Sequence, residues 1–210
     1  MSDVKSLGTV ITRLEDLFQR FNDRFFEGKL EAPVIAVSPN HTGKTYGWCT
    51  TYKAWKNDPE SEDGYYEINL CSEHLKRPFE HVCGTMLHEM VHLFNLYQGV
   101  QDVSRGSTYH NKRFKEAAEK RGLSIAKSQK YGWTITTLNE EGAEFVESLN
   151  QGAFDFFRTP IPAFMKKNGG RGSGSSRKYV CPKCGAIIRA TKEVRVICGD
   201  CDVEFDLVEE

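Results

Sequence analysis

The chain has 210 residues, with 28 Lys and Arg against 29 Asp and Glu, for a formal net charge of −1. That length suits one main domain with a small appendage, and the near-neutral balance by itself gives no sign of a nucleic-acid partner. No apolar run approaches the ~18 residues that a bilayer-spanning helix requires.

In chain order, Val10, Ile11, Leu14, Leu17, Phe18, Phe21 and Phe25 follow helical spacing, and Gly28 ends that helix. Three short extended runs come next, Val34 to Val37, Tyr46 to Tyr52 and Tyr65 to Leu70. The last two read as a hairpin joined by the polar loop Asn57 to Gly64, whose four acids are most simply a solvated face. Trp48, Tyr52, Trp55 and Tyr66 are candidates for lining a substrate groove, although core packing is the expected job of at least half of them. The edge of such a sheet is where an extended peptide could dock by strand addition.

Pro78 to Tyr97 reads as one long helix carrying His88-Glu89-Met90-Val91-His92, an HExxH motif. Residues four apart lie one turn apart on the same face, so both imidazoles can reach one metal ion, with Glu89 beside them to take a proton from a water on that metal. At about 100° per residue, Phe79, Val82, Cys83, Met86, Leu87, Met90, Phe94 and Tyr97 share one broad side, and His88, Glu89 and His92 fall opposite. A helix apolar enough to be buried needs a partner for two His and a Glu, since unpaired buried polar groups are costly. Zinc is the simplest partner.

A catalytic zinc has three protein ligands and an open position. His81 sits seven residues before His88, ~10 Å of rise, too far for a zinc bond of ~2 Å. His41 and His74 lie in polar loop contexts. Gly99 ends the motif helix, and Gln101 to Gly106 make a turn-rich connection that can fold His110 back. His110 opens a second helical segment, Ser107 through Arg121, stopped by Gly122, with Phe114 as its anchor one turn on. His110 is therefore the expected third ligand, and Glu116 or Glu119 the acidic rivals. Further on, Trp133 to Thr137 reads as a strand and Asn139 to Asn150 as a closing helix.

Asp155 to Met165, with Pro160 and Pro162, leads into a Gly/Ser-rich stretch whose charges are Lys166, Lys167, Arg171, Arg177 and Lys178. Such a segment cannot form a core and reads as a flexible tether. Beyond it, Cys181-Pro182-Lys183-Cys184 and Cys198-Gly199-Asp200-Cys201 form two C-x-x-C knuckles at a spacing close to that of a four-cysteine zinc site. Gly185 and Gly199 supply permissive backbone, and Ala186 to Ala190 and Val194 to Ile197 read as short strands. A segment this short needs a staple to fold, and a redox C-x-x-C lacks its βαβ context here. Cys49, Cys71 and Cys83 fit buried thiols. With no secretory signal after Met1 to Lys5, a reducing compartment and a cytoplasmic location are expected.

Glu67-Ile68-Asn69-Leu70, then Arg77-Pro78, then Thr85 through His92, then Tyr109-His110-Asn111-Lys112-Arg113-Phe114 together resemble the SprT-like zinc metallopeptidase family, which includes the eukaryotic protease Spartan. The resemblance runs from about residue 8 to residue 135, and the C-terminal knuckles are similar to the ribbon of bacterial SprT proteins. It implies His88, His92 and His110 as zinc ligands, Glu89 as general base, and proteolysis of DNA-associated proteins, including DNA–protein crosslinks. Asn111 stands where the family usually has Gly, and the partner-binding motifs of eukaryotic members are not found.

The expected architecture is α+β. A zincin-like HExxH catalytic domain over residues 1–157 packs a short antiparallel sheet on helices, a flexible basic linker covers 158–178, and a four-cysteine zinc ribbon covers 179–210. Two zinc ions are expected, one catalytic at His88, His92 and His110 and one structural at Cys181, Cys184, Cys198 and Cys201. Glu89 serves as proton acceptor and later donor to the leaving amine, and Tyr109 is the candidate to steady the oxyanion. The expected partners are protein substrates and DNA, single-stranded or carrying bound proteins, held by the basic tether with Tyr179 exposed for base stacking. No membrane partner is expected, and the expected state is a monomer. The alternative is a nucleic-acid-binding or partner-recruiting zinc protein with little proteolytic activity, which would need no base at Glu89.

Overall fold

The computed structural model describes residues 5–39, 45–61, 63–104, 106, 108–159 and 177–208. The chain divides into two compact units, Met1–Pro160 and Ile161–Glu210. Among the described residues the first unit holds four helices and two small sheets, a mixed α+β arrangement, and no helix is long and apolar enough to cross a membrane.

Helix α1 (Leu7–Phe25) forms where the spacing predicts it, and Val10, Leu14, Leu17, Phe18, Phe21 and Phe25 are its buried face. Ser6 and Thr9 close a reciprocal capping box at its start, satisfying N–H groups that a helix end leaves free. Past its end, buried Asn22 pins the chain: its Nδ2 donates to Leu30 O (2.9 Å) and its Oδ1 accepts from Leu30 N (3.1 Å).

The first sheet has strands β1 (Val34–Ser38), β2 (Gly47–Cys49) and β3 (Glu67–Cys71) in the order β1-β3-β2. β2 and β3 are antiparallel, as the hairpin reading expects, and a Trp55–Tyr65 bridge extends the pairing. The expectation of a wholly antiparallel sheet fails at β1, which runs parallel to β3 because the chain returns through β2 before β3. Ile35, Ile68 and Leu70 face the core, and β2 is left as an edge strand. A 3₁₀ turn at Ser72–His74 then leads to helix α2 (Phe79–Tyr97).

Helix α2 is buried almost all round and touches α1, β2, β3 and α3 (Lys112–Glu119). Its two sides are therefore less unlike than the helical wheel suggests: Val91, Leu93 and Asn95 are as buried as Met86 and Met90, while Tyr97 reaches solvent. The second sheet contains β4 (Val103–Ser104), β5 (Tyr109–His110), β7 (Gly132–Leu138) and β6 (Leu123–Ser128), in that order. β6 has no counterpart in the sequence reading, since only Leu123 and Ile125 turn inward. Helix α4 (Glu140–Ser148), capped by the Asn139 side chain at Gly142 N (2.8 Å), closes the unit.

The second helical segment departs from expectation. Tyr109 and His110 are extended, antiparallel to β4 and bridged in parallel to β7 at Gly132, and α3 starts only at Lys112. Asn111 explains the shift: its Oδ1 accepts from the amides of Arg113 (2.8 Å) and Phe114 (3.3 Å), making it the N-cap.

In the second unit, β8 (Arg177–Val180) lies between β9 (Ile187–Ala190) and β12 (Asp206–Val208), and β10 (Ile197–Cys198) pairs with β11 (Val203–Glu204). The strand expected at Val194 to Ile197 is thus reduced to Ile197–Cys198. Most of the expected tether, with Lys166, Lys167 and Arg171, lies outside the described residues. At the ends of that stretch, Arg158 pairs with Glu73 (3.1 Å) in the first unit, and Arg177 and Lys178 belong to β8.

Candidate metal centre

His88 and His92 project from successive turns of α2, and β5 brings His110 to them. Their three Nε2 atoms lie 3.1–3.2 Å apart. Two ligands at about 2.0 Å from a tetrahedral zinc are about 3.3 Å apart, so the spacing is that of a ligand set. The proton inventory points the same way. His92 Nδ1 donates to Asp102 Oδ2 (2.7 Å), an atom that only accepts when ionised. His88 Nδ1 is 2.7 Å from Thr136 Oγ1, whose hydroxyl is directed to Thr134 O (3.3 Å), so here too the ring donates. With the proton on Nδ1, His88 and His92 turn bare Nε2 lone pairs toward the centre, an arrangement suited to a metal cation, while the buried His110 Nδ1 has no partner among the described residues.

Burial, with the charges of His92 and His110, holds His88 well below the usual imidazole range. Burial and the His92 charge bring His110 down to about 4, against the opposing pull of Asp102. Both shifts favour the neutral form, which is the form that ligates metal. Phe114 is the floor of the centre, with its ring centroid 4.5, 4.5 and 4.8 Å from those of His88, His92 and His110.

Glu89 is 6% exposed. Its carboxylate accepts the Cys49 amide of edge strand β2, and burial pushes it up to about 7, with His92 opposing and Asp102 adding to the rise. A cation at the triad would act against that rise. Gly47 is required beside it: a Cβ there would stand 2.7 Å from Asn69 O and 3.4 Å from Glu89 Cγ. Gly132 is required on the other side, since its φ of +73° is left-handed and a Cβ would sit 2.2 Å from His110 O.

Several supporting groups escape sequence reasoning. Asp102 is buried, accepts from His92 and from Asn95 Nδ2 (2.9 Å), and offers its backbone O to Asn111 N (3.0 Å). The Asn95–Asp102 link joins the end of α2 to the loop before His110. One weak signal was available, an Asp ten residues after a ligating His; Thr136 had none. Trp48 and Trp55 both donate their indole N–H to Glu67, at 3.3 and 2.7 Å, so these rings are fixed by one carboxylate. Tyr66 packs on Tyr97.

Other expectations are corrected. Glu119 pairs with Lys115 (3.6 Å), Glu116 lines a separate cavity, and neither joins the histidines. Tyr109 neighbours His110 on a strand, so its side chain leaves the opposite face, where its ring meets Gly132. Tyr179 is 3% exposed and its hydroxyl accepts from Val194 N (3.1 Å), so it is core of the second unit and offers no stacking face.

In that unit the four cysteine sulfurs lie within 4.8 Å of one another, with Cys184 and Cys198 Sγ 3.7 Å apart. Zn–S bonds of about 2.3 Å place tetrahedral ligands about 3.8 Å apart. Each knuckle is closed by amides: Gly185 N donates to Cys181 O (2.9 Å) and Asp202 N to Cys198 O (2.8 Å). The left-handed residues are Gly185 and Asp202, so Gly199 is not the permissive position the sequence suggested. The amides of Cys184 and Lys183 lower the Cys181 thiol to about 7 and favour the thiolate.

The family model for SprT-like proteins matches residues 14–134, which contain most of α1, the motif helix and all three histidines. The chain belongs to the SprT-like family. Over 82 residues it is 39% identical to the DNA-dependent metalloprotease SPRTN of Rattus norvegicus and equally to that of Mus musculus. Those residues are 39% of this chain and 15% of either relative, so the chain spans only a small part of the curated proteins it matches. No solved structure matches it.

Proposed function

We propose that the chain is a zinc-dependent endopeptidase of the zincin type that acts on DNA-associated proteins. The observation that carries the reading is the convergence of three imidazole nitrogens beside a buried glutamate whose carboxylate touches an edge strand. His88, His92 and His110 would hold the ion. Bound zinc supplies Lewis acidity toward a carbonyl oxygen and acidifies a water that it holds. Glu89, oriented by the Cys49 amide, accepts the proton of the attacking water and delivers it to the leaving amine. The free edge of β2 offers backbone groups for an extended substrate, and its nearness to Glu89 sets the scissile bond over the base.

A second zinc at Cys181, Cys184, Cys198 and Cys201 would be structural, making a ribbon. Thiolates of this kind persist in a reducing compartment, and the cytoplasm is the location we assign. The DNA dependence in the relatives' name, together with the basic residues Lys166, Lys167, Arg171, Arg177 and Lys178, supports nucleic acid as the platform on which substrates are met.

The test is proteolysis of a DNA-binding protein with and without single-stranded DNA, comparing wild type with Glu89→Gln. Loss of cleavage with metal retained supports the reading. Cleavage within about tenfold of wild type, under ~1.4 kcal/mol of barrier, overturns the assignment of Glu89.

A further inference from the structure

We propose that the groove between the end of α2 and helix α3 is a phosphodiester-binding surface that holds a nucleic-acid strand against the first unit. This rests on the reading that the chain works on nucleic acid, and it assigns the contact to residues of the first unit. Two cavities of about 420 and 480 Å³ adjoin there and share Arg113. Neither is lined by His88, His92 or His110.

The charge of the groove is one-sided. Lys112, Arg113, Lys120 and Arg121 line it, and Glu116 is the one carboxylate among the lining residues. No ion pair among the described residues engages any of the four cations. Lys115, which lines neither cavity, is instead spoken for by Glu119 and by the Trp133 ring 4.6 Å away. The cations of this segment are thus sorted into a paired set and a free set.

Arg121 is the anchor of the free set. Its guanidinium lies 3.7 Å over the Phe94 ring and 5.4 Å from that of Phe26, and Nη1 donates to Ala117 O (2.8 Å). Its Nε is buried and has no partner. Glu27 attracts it through space without pairing. The buried Nε is out of a ligand's reach, so a phosphate oxygen would be met by the terminal Nη groups of this planar cation, which the aromatic face holds in place.

Arg113 and Lys120, seven residues apart, fall on one face of α3 and its C-cap, roughly 10 Å apart along the axis, which at ~3.4 Å per nucleotide is the reach of about three phosphates. One small anion cannot engage both Arg113 and Lys120. A strand can, and the cavity wall it would lie on includes Asn95, the residue that holds Asp102 behind His92.

The experiment uses the full zinc-loaded chain and a fluorescent single-stranded oligonucleotide, with anisotropy titrations across salt concentrations. Replacing Lys112, Arg113 and Lys120 by Ser should flatten the slope of log K against log salt by about 2, at about 0.7 per phosphate contact. Metal content and melting temperature confirm that the variant is folded. In a parallel arm with no substitution, amide resonances of Val100, Arg113 and Lys120 should shift as oligonucleotide is added to wild type. An unchanged slope in the groove variant, with flattening on replacing the five tether cations, overturns the groove but leaves the nucleic-acid reading standing. No binding by wild type removes both. Equal competition by polyglutamate, or shifts produced by inorganic phosphate that the oligonucleotide does not displace, also overturns the strand proposal.

Discussion

The two candidate metal sites differ in what holds them. The histidines stand on a helix and a strand already fixed by a core of 26 buried side chains among the described residues, and Asp102, Thr136 and Phe114 set their rings. The cysteines belong to a unit whose buried cluster is Tyr179, Cys181, Cys198 and Phe205, so half of that core is ligand. In the first unit the fold makes the site. In the second, on the proposed reading, the site would make the fold, because so little apolar surface cannot offset the entropy of ordering the chain.

Metal removal should separate the two most sharply. On chelation the amide resonances of residues 177–208 should collapse to unfolded positions while those of α1, α2 and β6 stay dispersed, since a structural zinc contributes about 10–16 kcal/mol to a small fold. A second unit that remains folded without metal would erase the contrast. Glu89→Gln comes next, with a loss of about 10²–10⁴ in kcat/KM and no loss of zinc, because general base catalysis has that size. Loss of zinc along with activity would mean that Glu89 holds the site together instead of working in it.

Asp102→Ala tests whether the first site is preorganised by its surroundings. It frees His92 Nδ1 and leaves Asn95 Nδ2 buried without its acceptor. Zinc affinity at the histidines, measured by competition with a chromophoric chelator, should fall about 10–100-fold, with the cysteine site unchanged. Thr136→Val removes one neutral hydrogen bond to His88 and should weaken zinc by about fivefold, near 1 kcal/mol. Equal effects from both substitutions would show that the carboxylate is no more than a spacer.

The elements whose signal is local were legible without coordinates. Helical spacing located α1 and α2, and the i, i+4 histidines share a face because an α-helix turns every 3.6 residues. The two C-x-x-C knuckles likewise carry their own geometry, and the closing helix expected over Asn139 to Asn150 forms at Glu140–Ser148. His110 was identifiable as the partner of His88 and His92 but not its conformation, since two extended residues before a helix give no periodicity and only pairing with β4 and β7 makes them a strand.

Tertiary structure alone decided the rest. The parallel pairing of β1 with β3 depends on which strand the chain visits last, and Asp102 meets His92 only because the loop after α2 folds back over it. Tyr179 looked like an exposed ring and is core, because strand alternation turns it inward once β9 and β12 flank β8. Sequence determined the candidate ligand types and the helix that carries two of them. Contacts between residues distant in sequence determined how each ring is aimed, and no local pattern records a long-range contact.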